Sequence, residues 1–151
     1  MTLRRILTLG MAAVLAIAVV VPALAAAPGQ RQATIQLTFD VADGSESFVA
    51  SGAGFCSSGW ADGGVIEYIE FGDSFKILMT KTLHCDDGSG DLQIRLSAGE
   101  PTGSPTRSGG WIVVGGTGDY ATAVGGGTMT AKTRYPHDSQ GVDTMIGVIT
   151  R

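Results

Sequence analysis

Few residues in this chain of 151 are suited to acid–base or metal chemistry. The two histidines, His84 and His137, lie far apart, and no H-x-x-x-H pair for zinc is present. His84 falls on the polar face of a predicted strand, so we expect it to be exposed. His137 follows Tyr135-Pro136 in a predicted loop and is a candidate for acid–base work. We predict no metal site and no cofactor.

Carboxylates form the second group of candidates. Asp86, Asp87 and Asp91 surround a glycine, but their spacing is not that of an EF-hand, which also needs a glutamate at its twelfth position. We interpret this segment as a solvated turn. Glu67 and Glu70 fall on opposite faces of a strand by parity, so they are badly placed to act on one glycosidic bond. Neither group predicts a catalytic pair.

A glycine-rich segment matches a dinucleotide-binding fingerprint, as Gly116-x-Gly118-x-x-Ala121. That motif needs a helix whose N-terminus faces the pyrophosphate, and here more glycines and a threonine-rich strand follow. There is no G-x-S-x-G nucleophile elbow, and no asparagine for an Asn-based cysteine protease triad. No catalytic residue is predicted, and whether the protein is an enzyme stays open.

Residues 1–25 predict export. Two arginines precede an apolar run over 6–21, Pro22 ends any helix there, and Ala23-Leu24-Ala25 suits a signal peptidase. We expect cleavage after Ala25, which leaves a secreted or periplasmic domain over 26–151 and no stable membrane anchor. An uncleaved anchor is the alternative, because the apolar run is long enough to cross a bilayer.

The mature chain is acidic. Removing residues 1–25 takes away two of the ten basic residues and none of the fourteen acidic ones, which lowers the net charge from −4 to −6. Its basic residues are scattered singly, so phosphate backbones are repelled and nucleic acid is not expected as a partner. About 125 residues are enough for one domain with one core.

The two cysteines, Cys56 and Cys85, predict a disulfide, because an exported chain folds in an oxidising compartment. Closing the loop between them should contribute roughly 3 to 4 kcal/mol to the free energy of unfolding. A catalytic thiol is the alternative reading of these residues.

The elements that position these residues are predicted to be strands. Residues 32–40 alternate apolar and polar side chains with period two, and the same alternation recurs over 75–84 and 91–96. An Asp-Gly turn joins the last two as a hairpin. Further strands are predicted over 48–53, 65–71, 110–114, 128–134 and 144–150.

These patterns predict an all-β fold. Twenty-three glycines, and no helical period after the signal peptide, exclude a substantial helix. About eight closely spaced strands predict a single antiparallel barrel or sandwich, and we favour the barrel because closure removes exposed edges. The stretch 98–109, with Pro101 and Pro105, is predicted to be a mobile surface loop.

Aromatic residues are the remaining candidates for a site. Trp60, Tyr68, Trp111, Tyr120 and Tyr135 are spread over the mature chain. In a small barrel such residues either fill the core and plug an end or line a ligand cavity. Both alternatives stay open, and the first four are our candidates for cavity-lining residues.

The glycine segment resembles a signature of the allene oxide cyclase and dirigent-like barrel superfamily. In that superfamily a strand runs into a Gly-Thr-Gly turn, an aromatic residue packs under it, and a Gly-x-Gly strand follows. The resemblance implies an eight-stranded antiparallel barrel with an apolar lumen, usually oligomeric. Relatives cyclise an unsaturated fatty-acid epoxide or guide radical coupling of phenols. The residues that carry it are Trp111, Gly115, Gly116, Thr117, Gly118, Tyr120, Gly125 and Gly127.

A second segment extends the resemblance. Phe55-Cys56-Ser57-Ser58-Gly59, together with Cys85 and Gly88-Ser89-Gly90, looks like the pattern of exported bacterial members with a cysteine pair. The acidic and amide groups of the family have no counterparts that we can assign, so no catalytic residue is carried over.

We therefore expect a secreted, disulfide-linked barrel that binds a small apolar molecule or a partner without covalent chemistry. One alternative is a cofactor-independent isomerase or cyclase of the allene oxide cyclase type, which requires a buried carboxylate with a raised pKa inside the barrel. Another is a structural or adhesive envelope protein whose function is its homo-oligomerisation.

Overall fold

The computed structural model describes residues 31–40, 42–52, 54–101, 104–133 and 140–151. Each of eight antiparallel strands pairs with the next in sequence, and the last pairs with the first to close a barrel. The predicted all-β antiparallel barrel is thus confirmed, and the only helix among the described residues is a short 3-10 turn, Gly118–Tyr120. The strands are β1 (Arg31–Asp40), β2 (Ser45–Gly52), β3 (Ser58–Phe71), β4 (Ser74–Cys85), β5 (Asp91–Pro101), β6 (Thr106–Gly116), β7 (Val124–Thr133) and β8 (Gln140–Thr150).

Several predictions fall outside the described residues. These are the signal peptide over 1–25, its cleavage after Ala25, and the loop candidates Tyr135 and His137. In the part of the chain that is described, no helix is long and apolar enough to cross a membrane.

Period-two alternation determines which side chains fill the barrel. In β1 the apolar residues Ala33, Ile35 and Leu37 are buried, while the polar residues between them lie on the outer face. Ile35 lies opposite Met145 of β8, and Leu37 lies opposite Phe48 of β2. Apolar side chains from neighbouring strands therefore meet in one core inside the barrel.

The prediction of a mobile loop over 98–109 is wrong. β5 extends into this segment as far as Pro101, and β6 begins within it at Thr106. Ala98 is buried in the lumen and lies opposite Gly109. A Cβ atom at Gly109 would lie 1.9 Å from Ser97 O, so this glycine serves close strand packing. Both prolines stand at strand ends, where a missing backbone N–H costs little.

A β-bulge in β3 changes which side chains face the lumen. The pairing with β4 shifts by one residue between Gly63 and Ile66, and such a shift reverses the parity of every later side chain. Ala61, before the bulge, is buried in the core, and Trp60 lies on the outer face. After the bulge, Ile66 and Tyr68 line the lumen.

One end of the lumen is plugged. The Cys56–Cys85 disulfide forms there, with Cα atoms 5.9 Å apart, as predicted. The rings of Phe55 and Tyr120 pack edge to face with centroids 5.2 Å apart. The Tyr120 hydroxyl is 3.2 Å from the hydroxyl of Ser89, so its polar atom is satisfied although the ring is buried. The opposite end of the barrel is built differently.

Candidate ligand cavity

The half of the lumen away from the plug contains a cavity of about 380 Å³. Residues close to the ends of β1 and β7 and to the starts of β2 and β6 line it. The cavity therefore lies at that end of the barrel. Most of its wall is apolar, as the alternation of the strands requires. The apolar lining consists of Phe39, Ile66, Tyr68, Ile77, Met79, Leu96, Ala98, Met129 and Ala131.

Four ionisable side chains line the same cavity: Glu46, Lys81, Arg107 and Asp143. Lys81 is only 3% exposed and Asp143 only 6%. Lys81 Nζ donates a hydrogen bond to Glu46 Oε2, so these two side chains form an ion pair. A buried charge is tolerated only when it is paired in this way. We call these four residues the charge cluster.

Asp143 differs from an ordinary surface carboxylate. Burial raises the pKa of Asp143 to about 6; the Lys81 and Arg107 cations oppose this rise, and the Glu46 carboxylate adds to it. Both its protonated and its ionised forms are therefore accessible close to neutral pH. A carboxyl group with such a pKa can donate or accept a proton in an apolar cavity.

The sequence prediction missed the charge cluster, although a signal for it exists. Lys81 has the same parity as Met79 and Leu83, two apolar residues of its strand, so it had to point into the lumen. Asp143 has the parity of Met145, but the predicted last strand began one residue after Asp143. Extending that strand by a single position would have placed a carboxylate inside the barrel.

The four aromatic candidates are not brought together. Tyr68 lines the cavity. Trp111 and Tyr120 are buried in the core instead, and the indole N–H of Trp111 has no acceptor among the described residues. Trp60 lies on the outer surface, so it is not a lining residue. The aromatic side chains therefore divide between core, cavity and surface.

His84 lies on the outer face, as expected, but its side chain is only 23% exposed. Its ring stacks on that of Trp60, with centroids 3.8 Å apart. Its Nδ1 lies 2.8 Å from Asp91 Oδ1, and its Nε2 lies 3.4 Å from Asp62 Oδ2. The strand register causes this arrangement, because Trp60, His84 and Asp91 lie side by side on three adjacent strands. His84 is thus held in place on the outer face, away from the cavity.

The acidic hairpin forms a turn, as interpreted. Asp87 Oδ1 accepts a hydrogen bond of 2.9 Å from the backbone N–H of Ser89. Hydrogen bonds from the Ser89 side chain and backbone hold the pKa of Asp87 below its usual value. Among the residues that the structure describes, no three side chains of the His, Cys, Asp or Glu type are arranged to hold a metal ion.

The glycine segment has a structural role at the plugged end. Gly115 and Gly116 end β6, and Gly118 begins the 3-10 turn with a φ of +55°, a conformation that favours glycine. Gly125 and Gly127 belong to β7. A strand follows the turn and no longer helix does, so the segment lacks the helix N-terminus that a dinucleotide would need.

No protein-family model matches this chain, and no curated protein or solved structure matches it either. The likeness of the glycine segment to the allene oxide cyclase and dirigent-like superfamily therefore stays a prediction.

Proposed function

We propose that this protein is an exported binding protein for a small amphipathic molecule, which occupies the barrel cavity. The apolar body of the molecule would pack against the aliphatic and aromatic wall, and its polar group would meet the charge cluster. One observation carries the proposal: a lumen that is densely packed at one end keeps a cavity with four ionisable side chains at the other. The disulfide supports export, because such bonds persist in oxidising compartments.

The size and the chemistry of the cavity support this proposal. Its volume, about 380 Å³, lies within the range of roughly 300 to 1,000 Å³ that is usual for small-molecule sites. Such sites combine apolar walls with a few polar groups that fix orientation. Apolar side chains would fill this space at less cost than buried charges, so stability alone does not explain Lys81 and Asp143.

The test is the binding of an apolar fluorescent dye and native mass spectrometry of the exported protein. Ala131→Phe places a ring in the cavity and should weaken dye binding by at least about tenfold, because the ring occupies the dye's volume. Thr130→Phe is the matched control, since its neighbouring side chain is exposed on the outer face. Equal dye binding by both variants, or no dye and no co-purified molecule in the wild type, would reject the proposal.

A second candidate function is that of a cofactor-independent isomerase or cyclase, and Asp143 favours it. This hypothesis requires a buried carboxyl group inside the barrel that can exchange a proton near neutral pH. Asp143 lines the cavity and has a pKa of about 6. The Lys81 ammonium lines the same cavity, where it could stabilise a developing negative charge.

Turnover of an unsaturated fatty-acid epoxide tests this second candidate. An enzyme of this type should give one enantiomer of the cyclic product, and Asp143→Asn should slow the reaction by about a hundredfold or more while dye binding persists. Asp119→Asn, which changes an exposed carboxylate elsewhere on the barrel, is the control. A racemic product in the presence of the wild type would exclude the cyclase activity and leave the binding proposal untouched.

A further inference from the structure

The barrel is closed, but β3 is paired unevenly along its length. β3 has 14 residues, and only Ser58–Trp60 pair with β2. Beyond Trp60, and counting only described residues, β3 pairs with β4 alone. Within the part of the chain that the structure describes, residues 61–71 therefore form an open sheet edge, which we call the free edge. Apart from β2, which shares the short pairing with β3, every other strand pairs over at least seven residues on each of its two sides.

The free edge carries apolar side chains on both faces of the strand. On the lumen side Ile66 is exposed and Tyr68 is 64% exposed. On the outer side Ile69 is exposed and Phe71 is 58% exposed. A strand edge offers a row of backbone N–H and C=O groups, and with apolar side chains above and below it is a template for another strand. Such an edge is a feature that most proteins avoid or cover.

The chemistry of the free edge determines the kind of partner. Its backbone groups call for an extended strand rather than a helix, because only a strand matches their spacing. Its side chains call for a strand that is apolar on both faces. The free edge of a second copy meets both requirements, and a two-fold axis would make the contact self-complementary.

The acidic residues of β3 limit how two copies can pair. If Ile69 faces Ile69 across the axis, then Glu67 faces Phe71, and Glu70 faces Tyr68. An antiparallel pair related by a two-fold axis has to be centred on a residue, because directly opposite side chains lie on the same face of the sheet. Centring the pair on Glu67 or on Glu70 would place two carboxylates opposite each other, and like charges in that position are destabilising. The sequence thus permits an antiparallel pairing that is centred on a residue.

We propose that the free edge is a dimer interface, on which β3 of a second copy adds antiparallel with Ile69 close to the two-fold axis. The added strand would also cover Ile66 and Tyr68, whose exposure leaves the cavity wall open on this side. The inference does not depend on ligand binding, because it rests on strand pairing and on surface chemistry.

Sedimentation velocity of the exported protein, over a wide range of concentrations, tests this proposal. Ile69→Lys should raise the dimer dissociation constant by at least about tenfold, because two lysines would meet at the axis. Ile112→Lys is the matched control, since Ile112 is also an exposed isoleucine but its strand is paired on both sides. A monomeric wild type at every concentration, or dissociation by Ile112→Lys alone, would overturn the proposal.

Amide hydrogen exchange shows whether strand addition is the mode of association. Exchange over residues 61–71 should slow as concentration rises in the wild type, and should stay fast in Ile69→Lys. The amides of β4, which pairs on both sides, should be protected in either protein and report that the barrel is folded. A dimer whose 61–71 amides do not respond to concentration would contradict the proposal. Dye binding, measured in parallel, decides the ligand proposal separately.

Discussion

Lys81 and Asp143 occupy lumen positions in strands whose other inward residues are mainly apolar. Met79 and Leu83 precede and follow Lys81 on the inner face of β4, and Met145 follows Asp143 on that of β8. Ionisable groups at such positions lower the free energy of unfolding unless they are paired with an opposite charge. Their shared location in one cavity is what gives these two residues a functional interpretation.

The raised pKa of Asp143 predicts a dependence of stability on pH. The pKa is about 6 in the folded protein and has an ordinary value of 3.8, so the folded state binds a proton more tightly between these pH values. The contribution of Asp143 to the free energy of unfolding therefore falls by roughly 3 kcal/mol as pH rises through this window, and stays low above it.

Asp143→Asn removes this dependence, because the amide does not titrate. The free energy of unfolding of the variant, minus that of the wild type, should increase between pH 4 and pH 6 and then level off. Urea unfolding at several pH values measures both proteins. If the two curves run parallel, Asp143 does not titrate in this window.

At the scale of elements, the alternation of side chains predicted the strands but not all of their faces. The central residues of every strand could be predicted, because β-branched and apolar residues recur with period two. Trp60 and Tyr68 have the same parity, so a regular strand would place them on one face. The bulge between Gly63 and Ile66 places them on opposite faces. A one-residue insertion of this kind leaves no periodic trace in the sequence.

Prolines led to the other error at this scale, because the loop over 98–109 was predicted from Pro101 and Pro105, which lie at strand ends. Glycine is treated as a loop residue because of its backbone freedom, yet in this barrel many glycines lie where two backbones approach closely. A Cβ atom at Gly127 would lie 2.0 Å from Ile146 O of the neighbouring strand. Gly99, in contrast, has its nearest such atom, Phe75 O, at 4.0 Å.

The contrast between these two glycines gives a prediction. Gly127→Ala should lower the free energy of unfolding by more than about 2 kcal/mol, because the backbone of β7 or β8 has to move. Gly99→Ala should be neutral or slightly stabilising, since alanine loses less entropy on folding than glycine does. Chemical denaturation of both variants measures the difference. Equal stabilities would mean that the barrel absorbs the added methyl group without strain.

At the scale of the whole molecule, the barrel has two unlike ends. One end is closed by the disulfide and packed aromatic rings, and the other holds the cavity and the charge cluster. The free edge of β3 lies next to the cavity, since Ile66 and Tyr68 belong to both. A packed end and an end with a cavity thus lie at opposite ends of one barrel.

The pairing of β1 with β8 has a further consequence, which concerns the order of events in folding. Arg31 lies opposite Ile149, so the first and last strands of the described chain form one seam of the barrel. A partly synthesised chain cannot close this seam, because β8 completes the ring and follows the other seven strands of the barrel in the sequence. Contacts this distant in sequence also form slowly. The barrel can therefore close only after β8 has been synthesised.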